Sequence, residues 1–120
     1  MEVKYLFENA NVSARTREYI ERRMASVSKF LNGEDLEATI VEVEIDKDKR
    51  GFYRVEAMVK TPRETYRAEA TDETIEEATD VVEEEVVRQL REEKERRDTL
   101  MKRGARSIKK KLVIDDDARF

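Results

Sequence analysis

The stretch YRVEAMVKTPRETYRAEATDETIEEA at residues 53–78 decides the fold, because two different periodicities meet in it. Residues 53–60 and 66–70 alternate between apolar and polar side chains, and this period of two predicts half-buried strands. The intervening TPRE predicts a hairpin turn, since proline suits the second turn position. Thr74 and Glu77 have the spacing of a capping box, which marks a helix start. The stretch therefore predicts a β-hairpin that leads into a helix.

Beyond this start, apolar residues recur at helical spacing and trace one face of a second long helix, at Ile75, Ala78, Val82, Val86 and Leu90. The pattern predicts that this helix runs to about residue 101, with Gly104 beyond its end. Residues 1–101 are expected to form one domain, and residues 102–120 a charged C-terminal tail.

The N-terminal part of the chain predicts a strand followed by a helix. Val3, Tyr5 and Phe7 alternate with other residues as in a strand. Ser13 is the expected N-cap of a helix from Ala14 to about Leu31, which Asn32-Gly33 would close.

Residues 36–46 are rich in β-branched side chains and predict a further strand. Its apolar residues change parity, so the strand either starts late or has a bulge near Ile40 and Val41. The predicted order is β-α-β-β-β-α. It indicates an α+β fold, in which both helices pack on one face of a four-stranded sheet.

The charge of the chain is sorted along its length. Residues 1–87 hold 13 Lys/Arg and 22 Asp/Glu, whereas residues 88–114 hold 11 Lys/Arg and 4 Asp/Glu. A concentrated basic segment of this kind is typical of a protein that binds a polyanion. The chain has no His and no Cys, which excludes Ser–His and Cys–His triads and argues against a zinc site. Binding without catalysis, without a cofactor and without a small-molecule substrate is therefore expected.

No apolar run approaches the ~20 residues that a membrane-spanning helix needs. The N-terminus MEVKYLFENA lacks the basic start and long apolar stretch of a signal peptide. These features predict a cytoplasmic protein with no membrane partner.

The candidate RNA-binding residues are cations of the two helices and of the segment that follows: Arg22, Arg23, Lys29, Arg88, Arg91, Lys94, Arg97, Lys102 and Arg103. If the helices pack side by side, these cations would form one basic stripe for phosphates. The alternative is an ordinary solvated helix face, with cations near a helix C-terminus. The string KRGARSIKKK at residues 102–111 is either a basic arm for nucleic acid or a solubilising tail.

The opposite charge is concentrated in residues 72–85, which contain eight acidic residues and no basic one. Acidic residues favour the N-terminal half of a helix, and we interpret this segment in that way. A divalent-cation site is the weaker alternative, because neighbouring carboxylates diverge on a helix.

Three segments resemble the ribosome hibernation promoting factors, the ribosome-associated inhibitors that bind the small subunit. They are ARTREYIERRMASVSKFL at 14–31, YRAEATDETIEEA at 66–78 and RQLREEK at 88–94. The resemblance covers about residues 1–97 and agrees with the predicted element order. Two features depart from the family pattern. Glu85 stands where the family usually has a basic residue, and the first half of the second helix is more acidic than is expected for a protein that binds rRNA.

The resemblance implies a four-stranded sheet with two helices on one side, akin to double-stranded-RNA-binding domains. It also implies that the partners are the small subunit and its rRNA, with contacts at Arg22, Arg23, Arg88 and Arg91. The implied function is translation inhibition in the stress response, by occlusion of the tRNA and mRNA sites. The chain resembles the short members, which lack a C-terminal dimerisation domain.

Two other functions fit the same sequence. One is a generic double-stranded-RNA-binding module without preference for the ribosome. The other is a protein-interaction module, in which the acidic half of the second helix and the flat sheet bind a basic partner.

Overall fold

A computed structural model of the chain describes the backbone of residues 1–118 and the side-chain surroundings of residues 1–105. Its elements follow the chain in this order: β1 (Glu2–Glu8), α1 (Ala14–Ala25), a 3₁₀ helix (Ser26–Phe30), α2 (Gly33–Ala38), β2 (Ile40–Lys47), β3 (Tyr53–Lys60), β4 (Thr65–Asp72) and α3 (Ile75–Ala118). Residues 1–90 form one compact unit. The part of α3 from Arg91 onward forms a second one.

The four strands form one mixed sheet in the order β1-β2-β3-β4. β1 and β2 are parallel, with Val3 opposite Val41 and Phe7 opposite Ile45. The other two pairs are antiparallel. The predicted α+β class is therefore confirmed. The parallel pair arises because α1, the 3₁₀ helix and α2 carry the chain back to the starting end of the sheet.

The core of residues 1–90 lies on one face of this sheet. Alternate strand residues such as Val43, Ala57 and Val59 are buried there, since successive side chains of a strand point to opposite faces. Ile20 and Met24 of α1 and Val82 and Val86 of α3 are fully buried in the same cluster. The prediction that both long helices pack on one face is confirmed.

The helix starts follow the predicted chemistry. Ser13 is the N-cap of α1, and its Oγ accepts a hydrogen bond of 3.2 Å from the Thr16 N–H. Thr74 Oγ1 accepts a hydrogen bond of 3.1 Å from the Glu77 N–H at the start of α3. Both caps satisfy backbone donors that a helix start leaves without an intrahelical partner.

The segment after α1 differs from its prediction. α1 ends at Ala25, and a 3₁₀ helix continues to Phe30. Asn32 does not close a helix but caps the start of α2, where its Oδ1 accepts a hydrogen bond of 2.9 Å from the Asp35 N–H. β2 begins at Ile40, so the late start is the correct alternative and the pairing with β3 needs no bulge.

The second long helix is longer than predicted. α3 continues past residue 101 and through Gly104 to Ala118. Residues 91–103 are mostly strong helix formers, and one glycine in a helix costs only about 1 kcal/mol, so the chain stays helical. The division into a domain of residues 1–101 and a tail of residues 102–120 stays a prediction.

Candidate nucleic-acid interface

Polar side chains join α1 to α3 along what we call the polar seam. Its carboxylates are Glu76, Asp80 and Glu83, which fall on one flank of α3 because they are four and three residues apart. Thr16 Oγ1 donates to Glu76 Oε1 over 2.8 Å. Ser26 Oγ, just beyond α1, donates to Glu83 Oε1 over 2.7 Å. The seam therefore fixes the lateral register of the two helices.

Arg23 lies at the centre of the polar seam. Its Nε is 3.0 Å from Asp80 Oδ1, and its Nη2 donates to Glu83 Oε2 over 3.2 Å. The Arg23 side chain is 34% exposed and that of Glu83 only 12%. Two carboxylates thus offset the positive charge of this predicted RNA-binding residue, and Arg23 holds the helices together.

Tyr19 completes the seam. Its hydroxyl donates to Asp80 Oδ1 over 2.5 Å, and this hydrogen bond raises the pKa of Tyr19 above its ordinary value. The neutral phenol is favoured because it is the form that donates to the carboxylate.

The polar seam gives the acidic stretch at residues 72–85 a role that the sequence analysis missed. Three of its carboxylates have partners on or just after α1, whereas the prediction invoked only the helix N-terminus. The matching spacing of polar residues on the two predicted helices is the signal that would have revealed the seam. Such a match becomes informative only once the helices are known to be neighbours.

The outer side of α1 and of the 3₁₀ helix that follows it exposes cations that the seam does not use. Arg15, Arg22 and Lys29 are seven residues apart and exposed. The Arg22 guanidinium lies 5.7 Å from the centre of the Tyr19 ring, in cation–π geometry. Among the residues with described side chains, none forms an ion pair with these three. Arg15, Arg22 and Lys29 are named the α1 cations below.

Arg88 lies on the other flank of α3, where the helix passes β4. Its Nε donates to Glu85 Oε2 over 3.0 Å. Gln89 Nε2 donates to Glu85 Oε1 over 3.2 Å and to the Arg67 carbonyl of β4 over 3.0 Å. Hydrogen bonds from Arg88 and then from Gln89 lower the pKa of Glu85 to about 2. The residue that departs from the family pattern is therefore the partner of a predicted RNA-binding arginine.

The remaining predicted cations belong to the second unit of α3. Arg91, Lys94, Lys102 and Arg103 are exposed there, and Arg97 is half-buried, with its Nε 4.0 Å from Glu93 Oε1. At about 100° per residue, Arg91, Lys94 and Lys102 fall on one stripe of the helix and Arg103 lies well away from it. The side chains of the string beyond residue 105 lie outside the described residues.

Two further findings concern metal binding and membrane spanning. In the part of the chain with described side chains, no group of His, Cys, Asp or Glu is arranged to hold a metal ion. No helix among the described residues has the length and apolar character that crossing a membrane requires.

Comparison with known proteins gives one family and a set of similar folds. Residues 3–98 match the family described as Sigma 54 modulation protein / S30EA ribosomal protein. The N-terminal domain of Protein Y from Thermus thermophilus is 22% identical with a TM-score of 0.64, over 75% of this chain and 96% of that one. A ribosomal subunit interface protein from Coxiella burnetii is 18% identical with a TM-score of 0.65, over 78% of this chain and 98% of that one. No curated protein matches the chain significantly.

Proposed function

This chain belongs to the Sigma 54 modulation protein / S30EA ribosomal protein family, and we propose that it binds the small ribosomal subunit in the cytoplasm and blocks the tRNA and mRNA path. The family is ribosome-associated, in agreement with the sequence resemblance to hibernation promoting factors. The Coxiella burnetii neighbour is named a ribosomal subunit interface protein, which supports a site between the subunits. The proposed result is an idle, protected ribosome.

The single observation that carries the rRNA contact is the row of α1 cations. Arg15, Arg22 and Lys29 face solvent, and no described residue neutralises them in an ion pair. The other face of the sheet has more carboxylates than cations and would repel a phosphate backbone. The α1 side of the domain is therefore the surface that we assign to rRNA.

Occlusion in this proposal needs no catalytic step. The α1 cations displace counterions from rRNA phosphates, which supplies affinity that falls as salt rises. The shape of a folded domain on structured RNA supplies the selection of site. Arg88, Arg91, Lys94, Arg97, Lys102 and Arg103 add contacts along α3, and Arg23 acts through the polar seam. The bound domain then excludes tRNA and mRNA by its volume.

Co-sedimentation with purified small subunits at two salt concentrations tests the proposal. The variant Arg22→Ala/Lys29→Ala removes two α1 cations. The control Lys49→Ala/Arg50→Ala removes the same charge from the exposed β2–β3 turn. We expect salt-sensitive binding that falls about tenfold or more in the first variant, at about 1 kcal/mol per lost phosphate contact. Equal binding by both variants would contradict the assignment.

A generic duplex-RNA-binding module is distinguished by competition in the same assay. An excess of plain RNA duplex should leave the protein on the small subunit if the ribosomal site is specific. Release by an equal mass of duplex would favour the generic module. A toeprinting assay with initiator tRNA and mRNA then tests occlusion, because a bound domain should prevent formation of the initiation complex.

A further inference from the structure

The face of the sheet that the helices leave uncovered is rich in charge. We call it the open sheet face; it consists of the alternate strand residues that point away from the core. Carboxylates outnumber cations on it by seven to four. The surface opposite the helices is therefore negative, in contrast to the α1 cations.

Most of the cations on this face already have carboxylate partners. Arg54 Nη2 lies 3.4 Å from Glu44 Oε1. Its Nη1 lies 3.0 Å from Glu56 Oε2 and 3.4 Å from Glu69 Oε2. Lys60 lies 3.1 Å from Glu42. Because carboxylates remain in excess after these pairings, the face attracts additional positive charge.

A shallow groove on this face adds an apolar contact. Leu6 of β1 is 53% exposed, an unusual position for a large aliphatic side chain that is flanked by charged residues. With Met58 it lines a groove of about 300 Å³, and the charged residues around it are Lys4, Glu42, Glu44 and Glu56. Covering Leu6 would remove apolar surface from water, so the groove favours an apolar side chain.

We propose that this groove binds a Lys/Arg-rich protein segment that carries an aliphatic residue between its cations. The aliphatic side chain would cover Leu6, and the flanking cations would reach Glu8 and Asp46. These two carboxylates follow Leu6 and Glu44 on the open sheet face and form no ion pair with any residue whose side chain is described. A nucleic acid would meet an excess of carboxylates, and a second copy of the open sheet face would meet its own charge. Of these partners, the basic protein segment alone matches both the apolar groove and the excess of carboxylates on the open sheet face.

The inference goes beyond the proposed function, because it concerns the opposite side of the domain and requires no RNA. Taken together, the two surfaces would let the domain lie between a phosphate backbone and a basic protein segment. Electrostatic complementarity of this kind fixes orientation more than it adds affinity. The groove would therefore determine the orientation of the domain on the small subunit.

Fluorescence anisotropy with two labelled synthetic peptides tests the proposal on the intact chain. The peptide GKRLKRG carries the aliphatic residue, and GKRGKRG has the same charge without it. We expect GKRLKRG to bind more tightly, and Leu6→Ser to weaken its binding about five- to tenfold, the scale of one partly buried leucine. Leu6→Ser should leave the binding of GKRGKRG unchanged.

Matched variants on α3 serve as controls. Val81→Ser alters another exposed aliphatic residue, at 49% exposure, and should leave both peptides unaffected. Glu8→Gln should weaken both peptides about two- to fivefold, whereas Glu84→Gln should change them little. Since Leu6 and Glu8 are exposed, neither change should prevent folding.

Three outcomes would overturn the proposal: no binding of GKRLKRG, equal binding of the two peptides, or equal losses in the Leu6→Ser and Val81→Ser variants. A dimer seen by sedimentation velocity and dissolved by Leu6→Ser, without peptide binding, would instead assign the groove to a second copy. The assay contains no ribosome, so its failure would leave the small-subunit experiment intact.

Discussion

Arg23 Nε lies 3.0 Å from Asp80 Oδ1, and this ion pair joins α1 to α3 through two residues that are 57 positions apart in the chain. The same guanidinium reaches Glu83. A cation that the sequence assigns to a phosphate therefore has two intramolecular partners. The structure gives Arg23 a first role in building the helical surface on which the α1 cations stand.

The first prediction concerns the stability of the polar seam. Glu83→Ala should lower the free energy of unfolding by about 1–2 kcal/mol, because it leaves Arg23 and Ser26 without their partly buried acceptor. Urea unfolding measures this loss. Glu84→Ala, at the exposed neighbouring position, should change stability by no more than about 0.5 kcal/mol. A double-mutant cycle with Arg23→Ala should give a coupling above about 0.5 kcal/mol. Additive effects would contradict the seam.

The second prediction concerns Glu85, which holds Arg88. Glu85→Gln removes a carboxylate whose pKa is lowered to about 2, and it removes the charge-assisted hydrogen bonds between Glu85 and Arg88 at every pH of interest. If α3 contacts rRNA, small-subunit affinity should rise about two- to fivefold. The slope of log affinity against log salt concentration should steepen by up to about one. Co-sedimentation over a salt series measures both quantities. Glu84→Gln removes the same charge but leaves the hydrogen bonds between Arg88 and Glu85 in place, and an equal gain in that variant would show that only net charge matters.

The third prediction concerns acid unfolding. Hydrogen bonds from Arg67, and then from Arg54, lower the pKa of Glu56 below its ordinary value. A lowered folded-state pKa means that the ionised form stabilises the fold above about pH 4.5, and that this contribution is lost as the pH falls. Wild type should therefore lose more stability than Glu56→Gln between about pH 5 and pH 3. Urea unfolding at each pH measures this loss. An equal fall in the free energy of unfolding of the two proteins over this range would contradict the charge network.

The fourth prediction concerns the continuity of α3. Gly104 lies inside the helix, and a Cβ added there meets no atom within 4 Å. Gly104→Ala should therefore stabilise the surrounding helix by about 0.5–1 kcal/mol. Amide hydrogen exchange near residue 104 should slow about two- to fivefold, since each local opening becomes rarer. Unchanged exchange there would mean that the helix is not the prevailing conformation at Gly104.

Local chemistry accounts for the parts of the fold that the sequence predicted well. Ser13 and Thr74 are caps because each side chain reaches a backbone N–H three residues ahead. The β3–β4 hairpin follows from alternation on both sides of a four-residue turn. These signals lie within a few residues, so no knowledge of the fold is needed to read them.

The features that the sequence did not reveal depend either on residues far apart in the chain or on a close balance between local conformational preferences. α2 is only six residues long. Asn32 did not reveal it, because asparagine is favoured both just after the end of a helix and as the N-cap of the next one. The end of α3 was misplaced because favourable residues on both sides outweigh Gly104. The polar seam pairs residues about 60 positions apart, and only the packed helices bring them together. The sequence also did not distinguish the predicted cations that face solvent without an ion pair to a described side chain, such as Arg22 and Lys29, from Arg23, which pairs with Asp80 and Glu83.

The parallel pairing of β1 with β2 has a consequence for how the chain is made. Residues 2–8 leave the ribosome before their partners at residues 40–46, which emerge only after three further helical segments. The β2–β3–β4 meander closes over short loops, whereas β1 must wait for a crossover of about thirty residues. The N-terminal strand is therefore expected to join the sheet late in folding, and Leu6 arrives at the open sheet face with it. Until β1 pairs with β2, the groove beside Leu6 lacks one of its walls.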